Sequence, residues 1–173
     1  MIKHMGPHTL PRAAEARVIL DAIRQIVRTL HESSRAAERL VGLSGAQLFV
    51  LQTLAETPGL SLNELAEQTH THQSSVSTVV SRLVETGLVT RVRSQKDRRR
   101  VELRLAPDGR RLAARAPDAA QARLIDGIER MPAASRRTLA RTLAALTNAM
   151  DLAGGEPVMF FAESARGGRG RRG

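Results

Sequence analysis

Two short stretches hold most of the residues able to do chemistry. The first, HTHQSSVSTVVSR at 70–82, sets His70 and His72 beside Ser74 and Ser75 and continues through Ser77, Thr78, Ser81 and Arg82. The second, RVRSQKDRRRVELRL at 91–105, crowds Lys96, Asp97, Arg98, Arg99 and Arg100 between two runs in which Val and Leu alternate with charge. Serine next to histidine raises nucleophilic catalysis, which needs a carboxylate or similar group to orient the base. None is arranged here, and an enzyme is not expected. His70-x-His72, joined by His31, raises metal binding, but the chain has no cysteine and no matched Glu/His set to complete a ligand shell. No metal and no other cofactor is expected.

The third chemistry is hydrogen bonding to a nucleic acid. At about 100° per residue, Val76, Val79, Val80, Leu83 and Val84 share one helical face. Ser74, Thr78 and Ser81 point the opposite way, flanked by Gln73, Ser75, Ser77 and Arg82, with no acid before Glu85. An ordinary solvated helix carries Glu/Lys pairs on that face. Small hydroxyls let a helix approach a DNA groove closely and donate to phosphates or base edges. Asp97 followed by three arginines reads as the tip of a β-hairpin, where a carboxylate two residues from a guanidinium can hold it and a narrow minor groove attracts arginine.

Several elements must position these residues. Ser44 with Gln47 and Ser61 with Glu64 fit the capping box that starts a helix, and Thr71 suits the cap of a third. Pro58-Gly59 ends the first of these helices, and Gly87 stands where a left-handed C-cap is expected after the third. The tight turn at Thr69 to Thr71 makes the last two a helix-turn-helix. Residues 88–93 and 101–105 alternate apolar and polar as half-buried strands do, so the hairpin is a wing. Before this unit, 11–41 is a long amphipathic helix with Val18, Ile19, Ile23, Ile26, Val27 and Leu30 in its stripe. After it, Pro107 opens a helix carrying Leu112, Ala116, Leu124, Ile125 and Ile128, and Pro132 interrupts that helix or starts another. Leu139, Leu143, Leu146 and Met150 form a last stripe. The expected fold class is mainly α with a two-stranded wing (α+β). Its domains are a flexible leader at 1–10, an N-terminal dimerisation helix at 11–41, and a winged helix-turn-helix domain at 42–106. C-terminal dimerisation helices follow at 107–153, then a tail at 154–173 whose Gly/Arg-rich part, 163–173, is expected to be disordered.

Composition agrees with a polyanionic partner. The 173 residues include 27 Lys+Arg against 17 Asp+Glu, a formal charge of +10. With no Trp or Tyr and only three Phe, there is little to stack on unpaired bases, which favours duplex over single strands. No run approaches the ~18 apolar residues of a membrane span, and no membrane partner and a cytoplasmic location are expected.

The motifs LSLNELAEQTHTHQSSVSTVVSRLVETGLVTRV and DRRRVELRLAPDGRRL, in the order long helix, winged helix-turn-helix, D-x-R wing and C-terminal helices, closely resemble the MarR family of winged-helix transcription regulators. The resemblance covers about residues 12–152. It implies a homodimer in which the first and last helices of two chains interlock, which would cover the unpartnered stripes. It further implies that the 72–86 helix enters a major groove and the wing lies along the adjacent minor groove. In that frame Asp97 orients Arg99, and Arg98 or Arg99 reaches into the minor groove. Ser94-Gln95 replaces the family's frequent Asp-Pro, and Ala106 replaces its frequent Thr cap.

The function expected is a ligand-responsive repressor acting as a homodimer on a pseudo-palindromic operator, with a small-molecule effector in the crevice between the winged domain and the dimer core. The rival is a non-specific, architectural DNA-coating protein, to which high charge and the Gly/Arg tail also conform.

Overall fold

A computed structural model of the chain describes residues 12–95, 97, 99–152 and 158–161. In chain order the elements are α1 (Arg12–Val41), α2 (Gly45–Glu56), α3 (Leu62–Gln68), α4 (Gln73–Glu85), β1 (Val89–Arg93), β2 (Val101–Leu105), α5 (Pro107–Arg115), α6 (Ala120–Glu129) and α7 (Ala133–Ala149). The expected leader at 1–10 and the Gly/Arg-rich end at 163–173 lie outside the described residues.

Local capping sets several of these boundaries. Both capping boxes form: Ser44 and Ser61 accept from the amides of Gln47 and Glu64, whose side chains accept in return from the cap amides. α4 ends in a Schellman motif. Gly87, at φ +72°, donates to the Val84 carbonyl and Leu88 donates to Leu83, satisfying two otherwise orphaned carbonyls. α3 ends the same way, with His70 at φ +49° donating to Glu67 and Thr71 donating to Ala66. A histidine therefore holds a left-handed position that glycine usually fills.

Two expectations need correction. Thr71 does not cap α4. Its hydroxyl donates to the Thr69 carbonyl at 2.9 Å, and His72 occupies the N-cap position without a side-chain capping bond. The helix expected from Pro107 through Ile128 is two helices, α5 and α6. Pro117 drives the residue before it out of helical space, and Ala116 sits at ψ 150°. α6 restarts with its first amides held from elsewhere: Ala119 donates to Gln52 Oε1 at 2.9 Å and Ala120 to Ser33 Oγ at 3.1 Å.

The core gathers where α2, α3 and α4 meet the root of the hairpin. Leu48, Leu51, Leu54, Leu65, Val76, Val80, Leu83 and Val89 are fully buried there, and Ala113 of α5 joins the same cluster. α5 crosses so close to the start of β1 that a Cβ on Gly109 would lie 2.2 Å from the Leu88 carbonyl oxygen. The two strands pair antiparallel, Val89 opposite Leu105 through Arg93 opposite Val101. Gly59 and Leu60 add a rudimentary third strand, exchanging bonds with Leu103 at 3.2 and 2.8 Å. The apolar alternation does not keep the whole hairpin half-buried, however. Val92 and Val101 are exposed, because the ribbon runs out beyond the core after its first residues.

The flanking helices differ. α1 buries only Leu30, Ser34 and Ala37 and leaves Val18, Ile19, Ile23, Ile26 and Val27 exposed; α7 buries nothing at all. No helix among the described residues is long and apolar enough to cross a membrane.

Candidate nucleic-acid interface

α4 is amphipathic in the sense its sequence demands. Val76, Val79, Val80 and Leu83 face the core, and burial of such side chains is worth about 1.5–3 kcal/mol each, which fixes the helix's rotation. Gln73, Ser74, Thr78 and Arg82 are exposed, with Ser77 and Ser81 partly so. Ser75 departs from this face. It is 8% exposed and belongs to the buried side, one helical turn before Val79 and next to Val76. Thr78 donates to the Ser74 carbonyl at 3.2 Å, one turn back. The exposed face of α4 carries no carboxylate before Glu85, at the helix's far end.

The wing is tied to this helix at its base. Arg91 Nη2 donates to Ser81 Oγ at 3.3 Å, placing a β1 guanidinium directly beside the α4 face. Arg91 escaped sequence reasoning, although a signal existed. It pairs with Leu103 on the inward side of the ribbon, where a core strand would carry an apolar residue.

At the tip, Asp97 Oδ1 accepts from the backbone amide of Arg99 at 2.9 Å, and Arg100 donates its amide to the Asp97 carbonyl. The carboxylate thus shapes the turn that presents Arg99; the contact is to Arg99's amide, where a grip on its guanidinium was expected. Lys96 and Arg98 lie outside the described residues. Arg100 turns inward. Its Nη2 meets Glu64 Oε2 at 2.6 Å and the Gly59 carbonyl at 3.2 Å, so it fastens the wing to the start of α3.

Glu64 is held below the usual carboxylate range, first by the Ser61 amide, then by the Ser61 hydroxyl and Arg100. Glu102 is lowered too, first by the Ser94 hydroxyl and then by Arg104, whose Nη2 lies 2.8 Å away. These two acids brace the outer half of the wing, Glu102 from within β2 and Glu64 from α3. Glu64 is not visible in the sequence as a partner of Arg100, since the two are 36 residues apart.

The histidines separate. His31 packs against Phe161 with ring centroids 4.7 Å apart, while His70 Nε2 lies 3.0 Å from Glu129 Oε1 at the end of α6. No cluster of three or more potential metal ligands exists among the described residues.

Comparison with known proteins agrees with this geometry. The model of the MarR family matches residues 41–100, from the end of α1 to the wing tip. A putative transcriptional regulatory protein for the hcr operon of Thauera aromatica is 36% identical over 118 residues, 68% of this chain and 67% of that protein. The HTH-type transcriptional repressor Rv2887 of Mycobacterium tuberculosis is 32% identical over 108 residues, 62% of this chain and 78% of that protein. Among solved structures, Streptococcus pneumoniae FabT in complex with DNA superposes with a TM-score of 0.52 at 19% identity, covering 79% of this chain and 97% of that one, a likeness of fold. With a two-stranded wing set on a helix-turn-helix between long flanking helices, this chain belongs to the MarR family of transcriptional regulators, which are not enzymes.

Proposed function

We propose that the chain is a sequence-specific, double-stranded DNA-binding repressor that acts as a homodimer on a pseudo-palindromic operator and is released by a small-molecule effector. The observation that carries this reading is the acid-free polar face of α4 with Arg91 joined to it through Ser81. A helix bearing Gln73, Ser74, Ser77, Thr78, Ser81 and Arg82 suits a major groove, and Arg99 at the wing tip suits the minor groove beside it. FabT, of the same fold, is described in complex with DNA.

The dimer rests on area left uncovered. α7 is 17 residues long with no buried residue, and helices of that length draw most of their stability from packing an apolar face. Leu143 and Leu146 on α7, Met150 at its C-cap and the exposed stripe of α1 are complementary surfaces for a second copy.

The effector would occupy a cleft of about 760 Å³ between α2, β2, α5 and α6. Phe49, Leu54 and Ala113 supply apolar wall, and Arg104, Arg110 and Arg123 supply cations, a combination of size and lining usual for small-ligand sites. Because the cleft joins the winged module to α6, a ligand that prefers one angle between them biases the separation of the two α4 helices. By linkage it weakens DNA binding by the same factor.

The test is titration against DNA flanking the gene and against random duplex at physiological salt. A specific regulator prefers one site by roughly 10³-fold or more, with half-sites about one helical turn apart. Uniform coating would hand the case to an architectural protein, in keeping with the +10 charge.

A further inference from the structure

The last described segment, Val158 to Phe161, returns to the body of the molecule. Met159 is 2% exposed and belongs to the main core cluster, while Val158 and Phe160 on either side of it are exposed. Phe161 lies against His31 of α1, and a Cβ on Gly45 would stand 3.5 Å from its ring, so Phe161 also covers the first residue of α2. Phe161 holds φ at +57°, a backbone conformation a bulky residue adopts only when its surroundings impose it.

The place where it lands is a joint. Ser34 of α1 accepts from the Gly45 amide at 3.2 Å, and its neighbour Ser33 accepts from the Ala120 amide at 3.1 Å. Consecutive serines of α1 therefore hold the first turns of α2, which begins the winged module, and of α6, which leads to the flanking helices. Three elements hinge on two hydroxyls, and Phe160 and Phe161 line the small crevice they enclose with Leu30, Ala119 and Ala120. Hydroxyl-to-amide bonds of this kind weaken when water competes for them. Phe161, against Gly45 and His31, keeps that competition low, and Met159 anchors the segment in the core.

We propose that residues 158–161 are a latch that clamps the α1–α2–α6 joint, fixing the angle between the winged module and the dimerisation helices and hence the operator spacing the protein accepts. The latch stands on the contacts above; its effect on spacing rests on the DNA-binding reading just given.

Full-length chain carrying Met159→Ala and Phe161→Ala is compared with wild type and with a chain ended after Ala162, which keeps the latch and loses the Gly/Arg-rich end. Hydrogen exchange at the amides of Gly45 and Ala120 should quicken by roughly tenfold or more in the double variant and stay unchanged in the shortened chain. Amides of Leu65 and Val80 report whether the module core remains folded; if it does not, Phe161→Ala alone is read the same way. On duplexes whose half-site spacing is varied in single base pairs, the variant should lose most of the wild-type preference for its best spacing. Unchanged exchange at the joint overturns the latch, and faster exchange with the spacing preference intact overturns its control of geometry. A wild-type protein with no preferred spacing would count against the operator reading, while the exchange arm would still decide the latch.

Discussion

The winged module and the two long flanking helices are built on opposite principles. From α2 to α5 nearly every large apolar side chain is enclosed by its own chain, and Leu48, Leu51, Leu65, Val76, Val80 and Leu83 reach complete or near-complete burial. α7 encloses nothing and α1 only three residues near its C-terminal half. The first region is finished by one copy of the sequence; the second presents a surface that a single copy leaves open. A residue's hydrophobicity therefore says different things in the two regions, a closed core in one and an uncovered surface in the other.

Substitutions can break or sharpen that contrast. Leu65→Ala should cost about 2–5 kcal/mol at every protein concentration, whereas Leu143→Asp should lower stability only where protein concentration would otherwise favour dimers. Thermal unfolding across a hundredfold dilution series, paired with sedimentation, reads both, and a concentration-independent loss from Leu143→Asp would erase the distinction. Next in size is Gly109→Ala. The added methyl meets the Leu88 carbonyl, so α5 must shift from β1 at about 1–3 kcal/mol, seen in the denaturation midpoint. Ser61→Ala, which removes one half of a capping box, should cost about 1 kcal/mol and fray α3 without touching the flanking helices. His70→Gly relieves a left-handed backbone at the expense of an exposed contact with Glu129, and a gain under about 1 kcal/mol is expected. A fall in melting temperature would mean that the Glu129 contact outweighs the strain.

Acid should act most gently, on the wing and the start of α3. Glu64 and Glu102 have folded values below their unfolded ones. Their contribution is therefore complete above the unfolded value of about 4.3 and fades as pH falls through the folded values. Exchange of the β1–β2 amides should quicken below that range, and Glu64→Gln should flatten the response.

Much of the winged module was legible because its rules are local. Ser44 with Gln47, Ser61 with Glu64, Gly87 and the alternation of 88–93 and of 101–105 each announce their element within a few residues, and these elements form. Errors came where two local rules competed. At the start of α4, Thr71 had the better capping chemistry, but the Schellman turn closing α3 takes its amide, and the helix starts one residue later. Pro117 was passed over because the apolar period runs across it, yet its ring breaks the helix all the same. The Arg100–Glu64 and Ser33–Ala120 contacts had no signal, being set by packing between distant segments. VMFF was too short to have a period, and its one clue was that it holds two of the chain's three phenylalanines.

The inward turn of Arg100 bears on how strongly the protein's grip on DNA answers to salt. A cation already engaged with Glu64 displaces no condensed counterion when the wing approaches a phosphate, and each missing release lowers the slope of log affinity against log salt by about 0.9. The same holds for Arg104 beside Glu102. Counting arginines in RVRSQKDRRRVELRL thus overstates the ionic footprint of the hairpin, whose formal charge is divided between holding its own scaffold and meeting the duplex.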